Sequence, residues 1–343
     1  MRIAVFDTRP YDREAFEEAN ARFGHELSFF EARLTSRTVA LARGHGAVCP
    51  FVNDRLDAPT IDALGQVGVR LIALRSAGFN HVDLVAAARS GLPVVRVPEY
   101  SPHAVAEHTF ALLLSLVRKI PRAWLRVRDA NFSLDGLVGF DLAGKTFGIV
   151  GTGRIGAVVA SIAAGFGCHV LAYDVQPLQV LADDLGLQYV GLEQLYRDSE
   201  IISLHVPLTP QTFHLLDVAA FARMRRGVVV LNTGRGALID SRALIGALKT
   251  GQVGGAGLDV YEEEEGLFFR DLSGQVLQDD TLARLLTFPN VLITSHQAFL
   301  TREALANIAK TTLGNVSAYE AGQLQNEVRA RDVIRPAQEP QHA

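Results

Sequence analysis

The run Thr146-Phe147-Gly148-Ile149-Val150-Gly151-Thr152-Gly153-Arg154-Ile155-Gly156 constrains the fold of this chain more than any other feature, because an apolar strand runs directly into a G-x-G-x-x-G turn that opens a helical pattern. Each glycine has its own physical task. Gly151 permits the tight turn, Gly153 lets the backbone approach a pyrophosphate with no side chain between, and Gly156 lets the helix pack close on the strand. The helix start at Arg154 and Ile155 offers backbone N–H groups to the same anion. The next apolar run, Val170 to Tyr173, ends at Asp174, about 20 residues further on, where a carboxylate can accept from the adenosine ribose hydroxyls. Val175 and Gln176 follow, with no Arg to hold a 2′-phosphate, which favours NAD over NADP. A glycine-rich turn alone would be only a loop, and an acid closing a strand is commonplace; the spacing and the strand–helix context carry the reading.

Strands and helices alternate along the whole chain. Ile3 to Phe6, Ala47 to Phe51, Leu71 to Leu74 and Val94 to Val97 read as strands, with helices over Arg13 to Phe23 and Ala58 to Val67, each ahead of a glycine. A second series, Thr146 to Val150, Val170 to Tyr173, Ile201 to His205, Val228 to Asn232, Gly254 to Leu258 and Val291 to Thr294, supplies the six strands of a full dinucleotide fold. The expected class is α/β, with a flavodoxin-like and a Rossmann-like domain, each built on a parallel sheet, and an active-site cleft between them. Since the periodic segment Glu303 to Tyr319 follows the second series, the first domain is expected to be discontinuous: 1–100 with about 300–334, enclosing a nucleotide domain over 101–299. The tail 335–343 is too poor in apolar residues to fold by itself.

Composition narrows the partners. A net charge of −4 from interspersed charges gives no electrostatic reason for nucleic acid or an anionic membrane as partner, and leaves a small diffusible substrate. Phe110 to Val117 is apolar but far short of the ~20 residues that cross a bilayer, and reads as a buried or interface helix. The amino terminus turns charged within a few residues, unlike a secretory signal, so a cytoplasmic location is expected. Cys49 and Cys168 have neither disulfide nor metal-ligand spacing, so no metal is expected.

The ends of the last three strands offer Arg235 in Asn232-Thr233-Gly234-Arg235-Gly236, Glu264 in the acidic run after Asp259, and His296 in Ser295-His296-Gln297. Reducing a 2-oxo acid needs a cation for the substrate, a proton donor for the ketone oxygen and a carboxylate behind that donor; Arg, His and Glu supply them. Each alone has a plainer reading: a loop cap, a solvated helix start, one of ten histidines. Together with Arg75-Ser76-Ala77-Gly78-Phe79-Asn80, Val97-Pro98-Glu99-Tyr100-Ser101-Pro102, Ala106-Glu107-His108 and His205-Val206-Pro207-Leu208-Thr209, in this order over almost the whole chain, they make it resemble the D-isomer-specific 2-hydroxyacid dehydrogenases, and within them the D-lactate dehydrogenase branch.

That resemblance implies that Arg235 binds and polarises the 2-oxo acid, that His296 is the acid/base, and that Glu264 hydrogen-bonds the imidazole and raises its pKa. It implies that the backbone at Ala77 and Gly78 takes the carboxylate, that Tyr100 and Phe299 wall the pocket, and that His205, Val206, Pro207, Thr233, Gly234 and Asp259 line the NAD site. It also implies a homodimer or homotetramer, with Phe110 to Val117 as a candidate contact. Gly234 stands where related enzymes carry Ser, which could loosen the Arg235 loop, and the run Glu262 to Glu265 leaves the catalytic Glu open to a one-residue error in register. The substrate expected is pyruvate, with a larger 2-oxo acid as the alternative and an NAD-sensing, corepressor-like binding protein as the reading from another class.

Overall fold

In the first strand, β1 (Arg2–Val5), Ile3, Ala4 and Val5 are all buried, so neither face meets water. That is the condition of a parallel strand covered on both sides by crossover helices. The computed structural model describes residues 1–330. After β1 come α1 (Pro10–Asn20), β2 (Glu26–Phe29), β3 (Ala47–Cys49), α2 (Ala58–Gln66), β4 (Leu71–Ala73), α3 (Leu84–Arg89) and β5 (Val94–Val95). Aspartates start two of these helices: Asp57 accepts from the Thr60 N–H at the head of α2, and Asp83 from Val85 and Ala86 at the head of α3.

The chain then enters a second unit with α4 (Pro102–Val117), α5 (Ile120–Arg128), β6 (Thr146–Val150), α6 (Arg154–Gly165), β7 (His169–Tyr173), α7 (Gln179–Leu185) and β8 (Gln188–Tyr189). It continues through α8 (Leu192–Asp198), β9 (Ile201–Leu204), α9 (Val218–Arg223), β10 (Val228–Asn232), α10 (Ser241–Thr250), β11 (Val253–Leu258), α11 (Asp280–Leu286) and β12 (Val291–Ile293). All pairings in this sheet are parallel, in the order β12-β11-β10-β9-β6-β7-β8. The order reverses at β6, whose neighbours are β7 and β9, and the crevice at such a switch point is where open α/β sheets bind ligands.

Two further elements return to the first sheet. α12 (Arg302–Glu320) packs on α1 and β4, and β13 (Glu327–Val328) pairs antiparallel with β5, giving the order β13-β5-β4-β3-β1-β2. The chain thus forms two compact units, Met1–Ser101 with the chain from Leu300, and Pro102–Phe299. The expected tail from Arg335 lies outside the described residues.

The strand series differs from expectation at the sheet edges. The second sheet has seven strands rather than six, through the two-residue β8, and the first gains β2 and β13, the latter antiparallel. These strands are only partly buried, so they lack the continuous apolar run that marks an inner parallel strand. The segment Phe110 to Val117, expected to be buried or an interface, is largely buried within its own unit. It is the end of the longer α4, and Phe110, Leu112, Leu113 and Val117 are each no more than 5% exposed. Its buried face packs on α6 and β11.

Candidate active site

The nucleotide turn behaves as its glycines require. A Cβ on Gly151, at φ +94°, would lie 2.8 Å from the His205 carbonyl, and one on Gly156 would lie 1.9 Å from the Gly151 oxygen. A Cβ on Gly153 would meet nothing within 4 Å, so the backbone there borders open space. Gly153 is the N-cap of α6 and supplies no side chain to the first turn, which begins at Arg154 and Ile155. At the end of β7, Asp174 Oδ2 accepts from the Thr152 N–H at 2.6 Å and from the Thr152 hydroxyl at 3.0 Å, and Oδ1 accepts from Gln176 N–H at 2.9 Å. Burial raises its pKa, but these hydrogen bonds outweigh that and hold it below the usual carboxylate range, so it stays an acceptor. Tyr189 on β8 donates to Thr152 Oγ1 at 2.9 Å, a support that nothing in its sequence context signals. The space at Gly153, at the head of α6, and the ionised Asp174 fit an NAD pyrophosphate and ribose.

His205 lies behind Gly151, its Nε2 2.8 Å from Ser203 Oγ. Burial pushes its pKa down to about 4, so the ring is neutral near pH 7. Val206 and Pro207 follow it at the half-open end of β9. Thr233 is buried, its hydroxyl 3.0 Å from that of Thr109 on α4.

The three chemistry-bearing residues stand at the ends of three adjacent strands. Asn232, the last residue of β10, holds the Arg235 loop with both ends of its amide: Oδ1 accepts from Gly234 N–H at 3.0 Å and Nδ2 donates to Arg235 O at 2.8 Å. The loop is therefore fastened without a serine at 234, where an added Cβ would make only ordinary contacts at 3.6 Å. Arg235 donates one guanidinium N–H to Gly234 O at 2.8 Å. A Cβ on Gly236 would lie 2.0 Å from the Tyr261 carbonyl carbon, which seats this loop directly on the turn that begins the acidic run.

That run alternates in role. Glu263 and Glu265 are exposed, whereas Glu264 Oε1 lies 2.9 Å from His296 Nδ1 and Glu262 pairs with His214 Nε2. Glu264 Oε2 also accepts from Tyr261 N–H at 3.3 Å, so both of its oxygens are oriented. A carboxylate only accepts, so the ring proton sits on Nδ1, and Nε2 is left to exchange a proton with a ligand. Both histidines have left-handed backbone, His214 at φ +51° and His296 at φ +53°. For non-glycine residues this costs of order 1–3 kcal/mol and persists only where the surroundings over-determine it.

Asp259, expected among the cofactor-lining residues, is fully buried and is occupied with the chain itself. Its Oδ1 accepts from the Thr294 hydroxyl at 2.5 Å and Gln297 N–H at 2.9 Å, and its Oδ2 from Ala298 N–H at 2.8 Å. Burial raises its pKa, and hydrogen bonds from His108, Thr294, Ala298 and Gln297 more than offset that, keeping it ionised. What Asp259 lines in this structure is the underside of the His296 turn.

The remaining predicted residues are seen within their own units. In the first unit, the loop after β4 is closed by Ser76 Oγ donating to Gly78 O at 2.8 Å and by Arg96 Nη1 donating to Ala77 O at 2.7 Å. Asn307 on α12 donates to Tyr100 O at 2.8 Å. Arg75 is completely buried and ties three strand ends together, donating to Cys49 O at 3.2 Å and Asp7 O at 2.9 Å. Phe299, in the second unit, is half-buried. No group of three or more His, Cys, Asp or Glu among the described residues could hold a metal ion.

Residues 110–298 match the family described as D-isomer specific 2-hydroxyacid dehydrogenase, NAD binding domain. The D-lactate dehydrogenase of Escherichia coli is 52% identical over 323 residues, covering 94% of this chain and 98% of that protein. The apo-structure of D-lactate dehydrogenase from Escherichia coli is similar with a TM-score of 0.88 at 50% identity, covering 96% of this chain and 100% of that one. The pyruvate reductase of Chlamydomonas reinhardtii gives a TM-score of 0.89 at 44% identity, over 94% and 97% of the two chains. By sequence, by fold and by the build of its nucleotide turn, this chain belongs to the D-isomer-specific 2-hydroxyacid dehydrogenases, a family of NAD-dependent oxidoreductases.

Proposed function

We propose that the chain is a D-lactate dehydrogenase that reduces pyruvate reversibly, with His296 as acid/base, Glu264 as its partner and Arg235 as the substrate cation. The observation that carries this is the 2.9 Å pair between Glu264 and His296, next to a turn on which the Arg235 loop is seated. The similarity to the D-lactate dehydrogenase of Escherichia coli supports pyruvate as substrate.

Gly151, Gly153 and Gly156 would hold the pyrophosphate of NADH and Asp174 its ribose, and the cofactor when bound would supply the hydride. Val206, Pro207, Thr233 and Gly234 would line its nicotinamide end. The fork of Arg235 suits a carboxylate beside a carbonyl, because planar donors bind both oxygens at once. His296 gives its Nε2 proton to the ketone oxygen as charge builds there, and Glu264 stabilises the ring while it is positive. In the reverse direction the same ring starts neutral. Ala77 and Gly78 for the carboxylate, and Tyr100 and Phe299 as pocket walls, belong to the same proposal.

No helix among the described residues is long and apolar enough to cross a membrane. We place the enzyme in the cytoplasm, where the free thiols of Cys49 and Cys168 stay reduced. We also propose a homodimer or homotetramer, in which α5 and the chain after it are a further candidate contact. None of the residues of α5 is buried, and Ile120, Trp124, Leu125, Val127, Phe132, Leu134 and Val138 are all more than half exposed. Monomers rarely leave so many large apolar side chains of one segment in water.

The deciding assay is steady-state oxidation of NADH with pyruvate, 2-oxobutyrate, 2-oxoisocaproate and phenylpyruvate, with the chirality of each product determined. The highest kcat/KM on pyruvate with a D product is expected. Preference for a bulky acid would change the substrate and keep the mechanism. NADH binding without turnover on any of them would make the chain a nucleotide-sensing binder instead.

A further inference from the structure

Three successive backbone N–H groups converge on one residue. His296 N–H donates to Asp259 O at 2.6 Å, Gln297 N–H to Asp259 Oδ1 at 2.9 Å and Ala298 N–H to Asp259 Oδ2 at 2.8 Å. This cradle holds His296 in its left-handed conformation, and its geometry depends on the orientation of one buried carboxylate. A carboxylate rotates freely about its last bond unless donors on more than one side hold it.

The donor on the far side comes from another element. Thr294 Oγ1 donates to Asp259 Oδ1 at 2.5 Å, which spends its only proton, so the same oxygen must accept from its other neighbour. That neighbour is His108 on α4, with Nε2 at 3.0 Å from Thr294 Oγ1 and 3.4 Å from Asp259 Oδ1. The chain of donors therefore runs from His108 Nε2–H to Thr294 to Asp259, and ends on the turn that aims His296. α4 packs on β11 and β12, so the helix and the turn are held in one body.

We propose that His108 is a positioning residue for the proton transfer at His296, acting through Thr294 and Asp259 rather than by touching the substrate. The proposal rests on His296 being the proton donor. It makes α4 part of the catalytic apparatus.

The test pairs hydrogen exchange with kinetics in His108→Ala, His108→Gln, Thr294→Val and Thr294→Ser. His108→Ala and Thr294→Val are expected to lower kcat about tenfold with NADH affinity within about twofold, since general acid catalysis depends on placement of the donor. In both, the amides of 296–298 should exchange at least about tenfold faster than in the wild type, because the cradle holding them loosens. His108→Gln and Thr294→Ser, which keep an N–H or hydroxyl, should recover most of both effects. If His108→Ala does not fold, the Thr294 pair reads the same link. Unchanged exchange at 296–298 in His108→Ala or Thr294→Val overturns the proposal, whatever happens to kcat. So does a loss of kcat that neither Gln nor Ser recovers. If the wild type binds NADH but turns over no 2-oxo acid, the functional reading has failed, and exchange alone still reports whether His108 orders the turn.

Discussion

Glu264 and His296 meet at 2.9 Å although 32 positions separate them, because each stands just beyond the end of one of two neighbouring parallel strands, β11 and β12. Their separation is set by the strand spacing and by the turns that follow, not by any local propensity. His296→Ala should lower kcat by about 10²-fold or more with NADH binding nearly unchanged, whereas Glu264→Gln, which keeps an acceptor but no charge, should cost about tenfold. Steady-state kinetics with a fluorescence titration of NADH checks both. Wild-type turnover in His296→Ala would remove this ring from the mechanism.

Gly153 and Gly156 are predicted to fail in different ways. Alanine at 156 would drive a methyl to 1.9 Å from the Gly151 oxygen, so the fold must shift, at a cost of about 1–3 kcal/mol. Alanine at 153 meets no protein atom within 4 Å, so stability should hold while the methyl obstructs the pyrophosphate. Thermal melts and NADH titrations of the two variants separate these outcomes. A destabilised Gly153→Ala that still binds NADH normally would contradict the assignment.

His205 makes part of the stability depend on pH. Its pKa lies near 6.5 in the unfolded chain and is pushed down to about 4 in the fold, so below pH 6.5 the unfolded chain takes up a proton that the folded chain refuses. The stabilisation is complete above the unfolded pKa and is lost as pH falls through this window, at up to about 1.4 kcal/mol per pH unit. His205→Gln should flatten that part of the acid limb in urea melts taken from pH 7 to pH 4. Parallel acid limbs in the two proteins would mean that this ring takes up its proton equally easily in both states.

Trp124 and its neighbours on α5 carry the oligomer prediction. Trp124→Glu should convert a dimer to a monomer in sedimentation velocity with little change in the secondary structure, since the side chain is 57% exposed in the isolated chain. A monomeric wild type at micromolar concentration would exclude the contact.

Much of the site was legible in the residue order because its parts are short and local. The glycine turn, Asp174 and the strand-end positions of Arg235, Glu264 and His296 all follow from where apolar runs stop. Within Glu262 to Glu265, counting from Asp259 favoured Glu264 for His296, but that Glu262 faces His214 did not follow, since adjacent carboxylates look alike until two histidines choose among them. Tyr189, His214 and Thr294 escaped for the same reason: each acts on a partner distant in sequence or on a different element, and none sits in a motif of its own. His108 stood within a family motif, but no role could be read there, because Thr294 lies 186 positions away.

What the sequence by itself determined was the class of fold, the nucleotide and the residue types of the reaction, since backbone sterics at glycine and the burial of apolar strands act over a few residues. What only the tertiary structure decided was which carboxylate faces which imidazole, that Asp259 holds the turn of His296 from beneath, and that the end of α4 is largely buried while α5 is surface. Those outcomes depend on which side chains the parallel sheet and its covering helices bring within hydrogen-bonding or packing distance, and that is a property of strand order rather than of sequence neighbours.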